Sequence, residues 1–229
     1  METISSAQGR LNRTYIAFFD LDRTILRVNS GKTLARYAYK QGLMTRMDLV
    51  RGLFLSLLYK LNLQDPIDII STMVGWVKGA SESSLGKLSK EAFSDQIINS
   101  IYTEVHTEIK FHQSKGAGIV ILSSTILPIC QNIAEYLRID DVICSNLEVV
   151  NGIYTGRLVG PPCFGKEKAT RLLDYCSENN INPVDSWYYG DAISDLNILS
   201  KVGNPICVNP DKRLRKAASR RGWKILQWH

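Results

Sequence analysis

The chain is poor in the residue types that build zinc sites and disulfide frameworks. Its 229 residues include five cysteines, widely spaced and without a C-x-x-C pair, and three histidines, His106, His112 and His229, which do not cluster. These spacings argue against a zinc site, a disulfide scaffold and a catalytic histidine. Buried thiols in a reducing cytoplasm are the expected alternative.

A long uncharged apolar run is also missing. The most apolar segment, residues 49–63, is interrupted by Arg51, Ser56, Lys60 and Asn62, so it is too short and too charged to span a bilayer. Residues 1–13 are polar and lack the apolar region of a signal peptide, which predicts a cytoplasmic protein. We expect residues 49–63 to pack within a helical region or between two copies of the chain. Contact with an acyl chain or a membrane surface is the less favoured alternative.

Acidic residues are absent from the C-terminal segment. The net charge is +6, and residues 212–229 contain seven lysines and arginines, all within 212–224, and no acid. Such a patch could meet the phosphates of nucleic acid or lipid. Nucleic-acid surfaces usually add aromatic or motif signals, so we favour a solvent-exposed helix face and do not expect nucleic acid as a partner.

The apolar pattern predicts one strand, then a helical region, then alternating strands and helices. Strands are predicted at residues 15–19, 118–123, 186–190, 205–208 and 223–227, with a hairpin over 142–159. In the helical region, Ser30 and Thr45 are the expected first caps. This order predicts an α/β fold, a Rossmann-like three-layer core with a parallel sheet (residues 1–26 and 112–229), plus an inserted α-helical cap domain (27–111).

Polar side chains follow three of the predicted strands. Asp20 and Asp22 follow the first strand and point to the same side, and Ser123 ends the second. Asp191 follows a later strand, with Asp195 one helical turn further on and expected on the same helix face. Ligands of open α/β sheets bind at the carboxyl ends of strands. Because adjacent carboxylates are costly unless a cation or a reaction uses them, these residues predict metal-assisted phosphoryl chemistry.

Four motifs occur in order along the chain: Asp20-Leu21-Asp22-Arg23-Thr24, Leu122-Ser123-Ser124-Thr125, Gly165-Lys166-Glu167-Lys168 and Gly190-Asp191-Ala192-Ile193-Ser194-Asp195. With these motifs the chain resembles the haloacid dehalogenase superfamily, specifically its phosphoserine-phosphatase-like subgroup with a helical cap inserted after the first strand. The resemblance covers nearly the whole chain. It implies a Mg²⁺-dependent phosphatase that hydrolyses a small phosphomonoester through an aspartyl-phosphate.

The resemblance also implies roles for the acidic residues. Asp20 would be the nucleophile, and Asp22 would be the general acid and then the general base. Asp20, the backbone carbonyl of Asp22 and Asp191 would bind Mg²⁺. Asp195 would hold a metal-bound water or orient the cluster.

The remaining motif residues are expected at the phosphate. Ser123 and the following backbone N–H groups, including that of Ser124, would donate to phosphate oxygens. Lys168 would neutralise the nucleophile and the transferred group, with Lys166 as the alternative. Thr24 is expected to fix the first loop through its hydroxyl. Arg23 would either bind additional negative charge on the substrate at the mouth of the cleft or be an exposed arginine without such a role.

Three departures from the subgroup bear on the substrate. Asn29 stands where phosphoserine phosphatases carry a glutamate for the serine amine, Ser124-Thr125 replace two glycines, and Ser194 replaces asparagine. They favour a phosphomonoester other than phosphoserine. A phosphotransferase or lipid-phosphate phosphatase of the same fold stays open, as does a non-catalytic anion-binding protein that uses the basic segment.

Overall fold

The computed structural model of the chain describes residues 13–61 and 65–229, without the side chains of residues 53, 56–61 and 66. The predictions that concern the polar segment at residues 1–12, and the apolar side chains of residues 57, 58, 61 and 63, lie outside this description. Within the described residues, no helix combines the length and the apolar character needed to cross a membrane.

Eight strands form two sheets in the described part of the chain. They are β1 (Ile16–Phe19), β2 (Gly118–Ile126), β3 (Asp141–Ser145), β4 (Leu147–Val150), β5 (Ile153–Leu158), β6 (Trp187–Gly190), β7 (Asn204–Val208) and β8 (Lys224–Leu226). Six strands form one sheet in the order β3-β2-β1-β6-β7-β8, and every neighbouring pair is parallel. The predicted α/β fold with a parallel sheet is therefore confirmed.

Nine α-helices accompany these strands in the described residues. They are α1 (Ser30–Lys40), α2 (Arg46–Leu61), α3 (Pro66–Met73), α4 (Glu82–Ala92), α5 (Thr103–Ser114), α6 (Leu127–Leu137), α7 (Gly165–Glu178), α8 (Leu196–Leu199) and α9 (Lys212–Arg221). Helices α1 to α5 all lie between β1 and β2, as the helical pattern of that region predicted. The division into a core and a cap domain at residues 27 and 111 stays a prediction.

The apolar runs of the central strands are buried on both faces of the sheet. Along β1, Ile16 and Phe18 pack on one face, with α7, α8 and α9. Ala17 and Phe19 pack on the other face, with α1, α4, α5 and α6. A strand covered on both sides reads as continuous rather than alternating hydrophobicity, which is why β1 and β2 were recognisable in the sequence. The five cysteines are buried and unpaired, as predicted.

The predicted hairpin over residues 142–159 is wrong in its first part. Residues 141–145 form β3, an edge strand of the main sheet, and the hairpin begins only at β4. Its turn is Asn151-Gly152, as the sequence indicated, and both residues have positive φ, which this turn dipeptide favours. The hairpin also bonds to the chain before α4: Gly79 N donates to Tyr154 O, Tyr154 N to Ala80 O, and Glu82 N to Gly152 O, all at 2.9–3.0 Å.

Two helix starts were predicted, and one of them is displaced. Thr45 precedes α2, and its Oγ1 accepts from Asp48 N at 3.2 Å, so the predicted cap is confirmed. Ser30 is instead the first residue of α1, and Asn29 is the cap, with its Oδ1 accepting from Lys32 N at 2.9 Å. Both Asn and Ser are good caps, so the sequence alone could not separate these neighbours.

The basic segment forms α9 and the residues that follow it. Leu214 and Ala218 are buried against the sheet, whereas the lysines and arginines of this segment are exposed. The predicted solvent-exposed helix face is confirmed, and the absence of a nucleic-acid partner stays a prediction.

His112 lies in an aromatic cluster on the helix α5 side of the sheet. Its Nδ1 bonds to Tyr15 Oη at 2.9 Å, and its Nε2 bonds to Tyr189 Oη at 2.8 Å. Tyr189 in turn donates to Glu108 Oε2 at 2.8 Å. Burial lowers the pKa of His112 to about 4, so this side chain is a neutral core residue at ordinary pH.

Candidate active site

The carboxyl ends of adjacent strands bring the predicted acidic residues together. Asp20 follows β1, and Asp191 follows its neighbour β6, so the two residues leave the sheet side by side. Ser123 lies in β2, on the other side of β1. It does not end that strand as predicted, since β2 continues to Ile126, but it lies two residues beyond the last pairing with β1. All three side chains are buried. The edge predicted from the sequence is therefore the edge at which these polar groups meet.

Lys168 joins two of the carboxylates through its ammonium group. Its Nζ lies 2.7 Å from Asp20 Oδ1 and 3.0 Å from Asp195 Oδ1, and all three residues are buried. Although burial by itself lowers the pKa of Lys168, the charges of Asp195 and Asp20 raise it well above its ordinary value. Lys166 is exposed, so the structure places Lys168, not Lys166, among the acids.

Asp20, Asp191 and Asp195 form a compact group of carboxylates. Each offers one oxygen, and these oxygens lie within 4.8 Å of one another. Burial raises the pKa of Asp20 to about 7 and, together with the charges of Asp20 and Asp195, raises that of Asp191 to about 8. The donors are all oxygen atoms, which suits a hard cation such as Mg²⁺ rather than zinc. The group therefore fits a divalent cation of that kind.

The expected helix geometry of Asp191 and Asp195 is wrong, although the two residues do meet. Asp191 lies in a non-helical segment, and Asp195 closes a short 3₁₀ turn, Ile193–Asp195. Asp195 is instead placed by its close approach to Gly190, where an added Cβ would lie 2.7 Å from Asp195 Oδ2. A glycine at this position leaves room for the carboxylate.

Asp22 is oriented from the start of α1. Its Oδ1 accepts from Ser30 N, and its Oδ2 accepts from Asn29 Nδ2, both at 2.8 Å. Burial raises the pKa of Asp22, and the hydrogen bonds from Ser30 oppose the rise. A carboxyl group with a raised pKa can carry a proton closer to neutral pH. Asn29, which the sequence marked as a departure, thus both caps α1 and holds Asp22.

The hydroxyl groups near the end of β2 form a short chain. Ser123 Oγ accepts from Thr125 N at 3.2 Å, and Thr125 Oγ1 bonds to Ser30 Oγ at 3.1 Å. Ser123 and Thr125 are buried and Ser124 is half-buried. This arrangement links the second motif to the same helix start that holds Asp22.

Arg23 and Thr24 occupy the loop between the two predicted catalytic acids and α1. Arg23 is exposed, has a φ of 64°, and its charge opposes the raised pKa of Asp22 and Asp191. The predicted role of the Thr24 hydroxyl is not supported: its Oγ1 is buried without a hydrogen-bond partner among the described residues. The loop is held instead by backbone bonds from Ile25 N and Leu26 N to Leu21 O, both at 2.9 Å.

Two supporting residues were missed in the sequence. Asp211 follows β7 and accepts from Ile193 N at 2.9 Å, while its own N–H donates to Asp191 O at 2.8 Å. The rule that located Asp20 and Asp191, an acid just beyond a strand end, also applies to Asp211. Tyr188 is fully buried, and Lys168 Nζ lies 5.3 Å from the centre of its ring, a contact that no local pattern signals.

Comparison with known proteins agrees with this geometry. The family model of haloacid dehalogenase-like hydrolases matches residues 17–200. The chain is 28% identical over 225 residues to phosphoserine phosphatase SerB1 of Mycobacterium tuberculosis, covering 96% of this chain and 73% of that protein. It is 27% identical over 222 residues to the histidinol-phosphatase of Neisseria meningitidis, covering 93% of this chain and 98% of that protein.

A solved structure shares the fold over nearly the whole chain. A protein of unknown function from Bordetella pertussis Tohama I superposes with a TM-score of 0.86 at 25% identity, covering 93% of this chain and 98% of that one. This structural similarity supports the fold. Because the function of the Bordetella protein is unknown, the similarity does not indicate a substrate.

Proposed function

Since the chain belongs to the haloacid dehalogenase-like hydrolase family and is a phosphatase, we propose that it is a Mg²⁺-dependent phosphatase of small phosphomonoesters that works through an aspartyl-phosphate on Asp20. The observation that carries the proposal is the ammonium of Lys168 between Asp20 and Asp195 beside Asp191. We expect the protein to work in the cytoplasm, on a small-molecule substrate.

In the first step, a carboxylate oxygen of Asp20 attacks phosphorus and the bond from phosphorus to the ester oxygen breaks. Asp22, in its protonated form, gives its proton to the departing alkoxide, so the product is a neutral alcohol. The raised pKa of Asp22 supports this role. Lys168 holds Asp20 in place and balances its charge.

In the second step, Asp22 acts in the opposite sense. Its carboxylate removes a proton from water, the water oxygen attacks phosphorus, and the bond from phosphorus to Asp20 breaks. Inorganic phosphate leaves and both aspartates return to their starting forms. Ser123 and the N–H of Ser124 would donate to the phosphate oxygens throughout.

Mg²⁺ would be held by Asp20, Asp191 and the backbone carbonyl of Asp22, with Asp195 beside it. Bound there, the cation would neutralise the negative charge that repels a carboxylate from a phosphate dianion. The three clustered carboxylates support this assignment.

The decisive experiment measures phosphate release from a panel of phosphomonoesters with Mg²⁺ and with a chelator. The wild type is compared with Asp20→Asn and with Asp174→Asn, an exposed aspartate on α7. We expect turnover that requires Mg²⁺, a loss of at least ~10³-fold in Asp20→Asn, and wild-type rates in Asp174→Asn. Turnover that survives in Asp20→Asn would overturn the mechanism.

A further inference from the structure

A cavity of about 490 Å³ lies beside Asp22. Asp22, Ser124 and Thr125 contribute to its lining at the active-site end. Most of the remaining lining comes from α1, α2, α3 and the residues after α3, and Ile126, Ile129 and Gly156 add to it. Because Asp22 is the proposed proton donor to the leaving group, the cavity is on the side where the alcohol part of a substrate would lie. Its volume is in the range of ~300–1,000 Å³ that encloses ligands of drug size, which a three-carbon amino acid does not fill.

An apolar wall forms part of this cavity. Six of its side chains come from α2, α3, the loop before α2 and the segment after α3: Met44, Leu49, Leu55, Ile70, Met73 and Trp76. Met44 and Leu55 are buried, and the other four are half-buried. When an apolar ligand covers partly exposed apolar side chains in a cavity, apolar surface is removed from water and binding becomes more favourable.

The charged residues of the lining are mainly cationic. Lys32, Arg36 and Arg51 contribute to it, together with two carboxylates, Asp22 and Asp48. Both carboxylates already accept hydrogen bonds: Asp22 from the start of α1, and Asp48 from the N–H and Oγ1 of Thr45. A ligand ammonium group in this cavity would meet three cations and two carboxylates that already accept hydrogen bonds from the protein.

We propose that this cavity binds the alcohol part of a phosphate monoester that is largely apolar and carries no ammonium group. The inference rests on the proposed phosphatase function and narrows its substrate class. Phosphoserine and histidinol phosphate, the substrates named for two relatives, both carry an amine and fit this lining poorly. An uncharged or acidic alcohol with an alkyl or aryl body fits both the apolar wall and the arginines.

The first test is a series of alkyl phosphates of increasing length, from ethyl to dodecyl phosphate, assayed for phosphate release with Mg²⁺. We expect kcat/KM to rise about threefold to fourfold for each added methylene, and to level off once the chain fills the cavity. Levelling distinguishes an enclosed cavity from adsorption to a lipid surface, on which the gain continues with chain length.

The second test changes only the charge at the far end of the substrate. Hexyl phosphate is compared with 6-aminohexyl phosphate and 6-carboxyhexyl phosphate. We expect the amine to be turned over at least ~10-fold less efficiently, since it would be a poorly paired charge beside cations, and the carboxylate to be turned over at least as well as hexyl phosphate. Arg51→Gln should reduce the difference in kcat/KM between 6-aminohexyl phosphate and 6-carboxyhexyl phosphate.

A matched pair of variants on α2 tests the site itself. Leu49 lines the cavity, whereas its neighbour Val50 does not and is 63% exposed. We expect Leu49→Gln to lower kcat/KM for hexyl phosphate about tenfold while ethyl phosphate is little changed, because an amide replaces apolar surface. Val50→Gln should follow the wild type on both substrates.

The outcomes separate the two proposals. If ethyl phosphate is hydrolysed with the expected dependence on Asp20 but longer chains bring no gain, the inference about the cavity is wrong and the phosphatase mechanism stands. Preference for 6-aminohexyl phosphate would also overturn the inference. If nothing in the series or the earlier panel is hydrolysed in an Asp20-dependent manner, the mechanism fails and the inference fails with it.

Discussion

Lys168 Nζ lies 2.7 Å from Asp20 Oδ1, so the proposed nucleophile is held by a buried cation. The same ammonium reaches Asp195 at 3.0 Å. One side chain thus fixes the separation of two acids that would otherwise repel each other. A buried charge pair of this kind is sensitive to the loss of either partner.

Replacing Lys168 should therefore impair catalysis far more than replacing its neighbour. We expect Lys168→Met to lower kcat by ~10²–10³-fold, since a preorganised positive group is lost next to the reacting phosphate. Lys166→Met removes an exposed charge and should leave kcat within about twofold of the wild type. Circular dichroism verifies that both variants fold, and equal losses in the two variants would contradict the assignment.

Removing the metal should lower the thermal stability of the protein. Asp20, Asp191 and Asp195 are buried together, so Mg²⁺ that binds the folded state alone should raise the Tm by mass action, and a chelator should reverse the gain. Asp191→Asn should abolish this Mg²⁺-dependent shift, whereas Asp174→Asn should retain it. An unchanged Tm with saturating Mg²⁺ would count against a metal at these residues.

Asn29 has two separable contacts, so two variants can distinguish them. Asn29→Ala loses the cap of α1, which should cost ~1 kcal/mol of unfolding free energy, and it also loses the hydrogen bond to Asp22. Asn29→Ser keeps a cap but is too short to reach Asp22.

Both Asn29 variants should lower kcat and move the basic limb of the pH–rate profile to higher pH. The physical reason is that a carboxylate without its hydrogen-bond donor has a higher pKa. Only Asn29→Ala should be destabilised in urea. A variant with a lower kcat but an unmoved pH profile would show that Asn29 does not act through Asp22.

His112 should make the fold sensitive to mild acid. Its pKa is about 4 in the folded chain and ~6.5 when unfolded, so the unfolded state binds the proton first as the pH falls. The stability that comes from neutral His112 is thus complete above ~6.5 and is lost progressively towards ~4. Urea unfolding at a series of pH values measures this loss, and His112→Gln should flatten it. If the unfolding free energies of the wild type and His112→Gln depended on pH in the same way, the interpretation would be contradicted.

The edge of the sheet at which the acidic residues meet is predictable from the sequence because the signals there are local. Asp20 and Asp191 each come directly after a short apolar run, and parallel strands align their carboxyl ends. The sequence alone does not show whether Lys166 or Lys168 reaches the acids. Both lie in the first turn of α7, where one is exposed and the other is buried. That choice depends on how α7 packs against the sheet, which no local pattern reports.

Other features of the site arise from contacts between distant segments. Asp195 reaches the acids through a 3₁₀ turn and the space left by Gly190, where a regular helix was expected. The cavity beside Asp22 is lined by α1, α2 and α3 together with the segment after α3 and parts of β2 and β5, so its shape depends on how these elements pack. The sequence pattern places residues 142–145 in the hairpin because an edge strand and a hairpin strand have the same alternating pattern.

Three backbone hydrogen bonds join the β4–β5 hairpin to residues 79–82, close in sequence to the cavity lining that ends at Val77. An added Cβ on Gly156 in β5 would lie 2.9 Å from Lys78 Cβ, so the two segments are also in close steric contact. The chain just after α3 therefore cannot move away from the β4–β5 hairpin without breaking these hydrogen bonds. A motion of this stretch of the cavity lining that keeps these contacts must carry the hairpin along as part of one rigid unit.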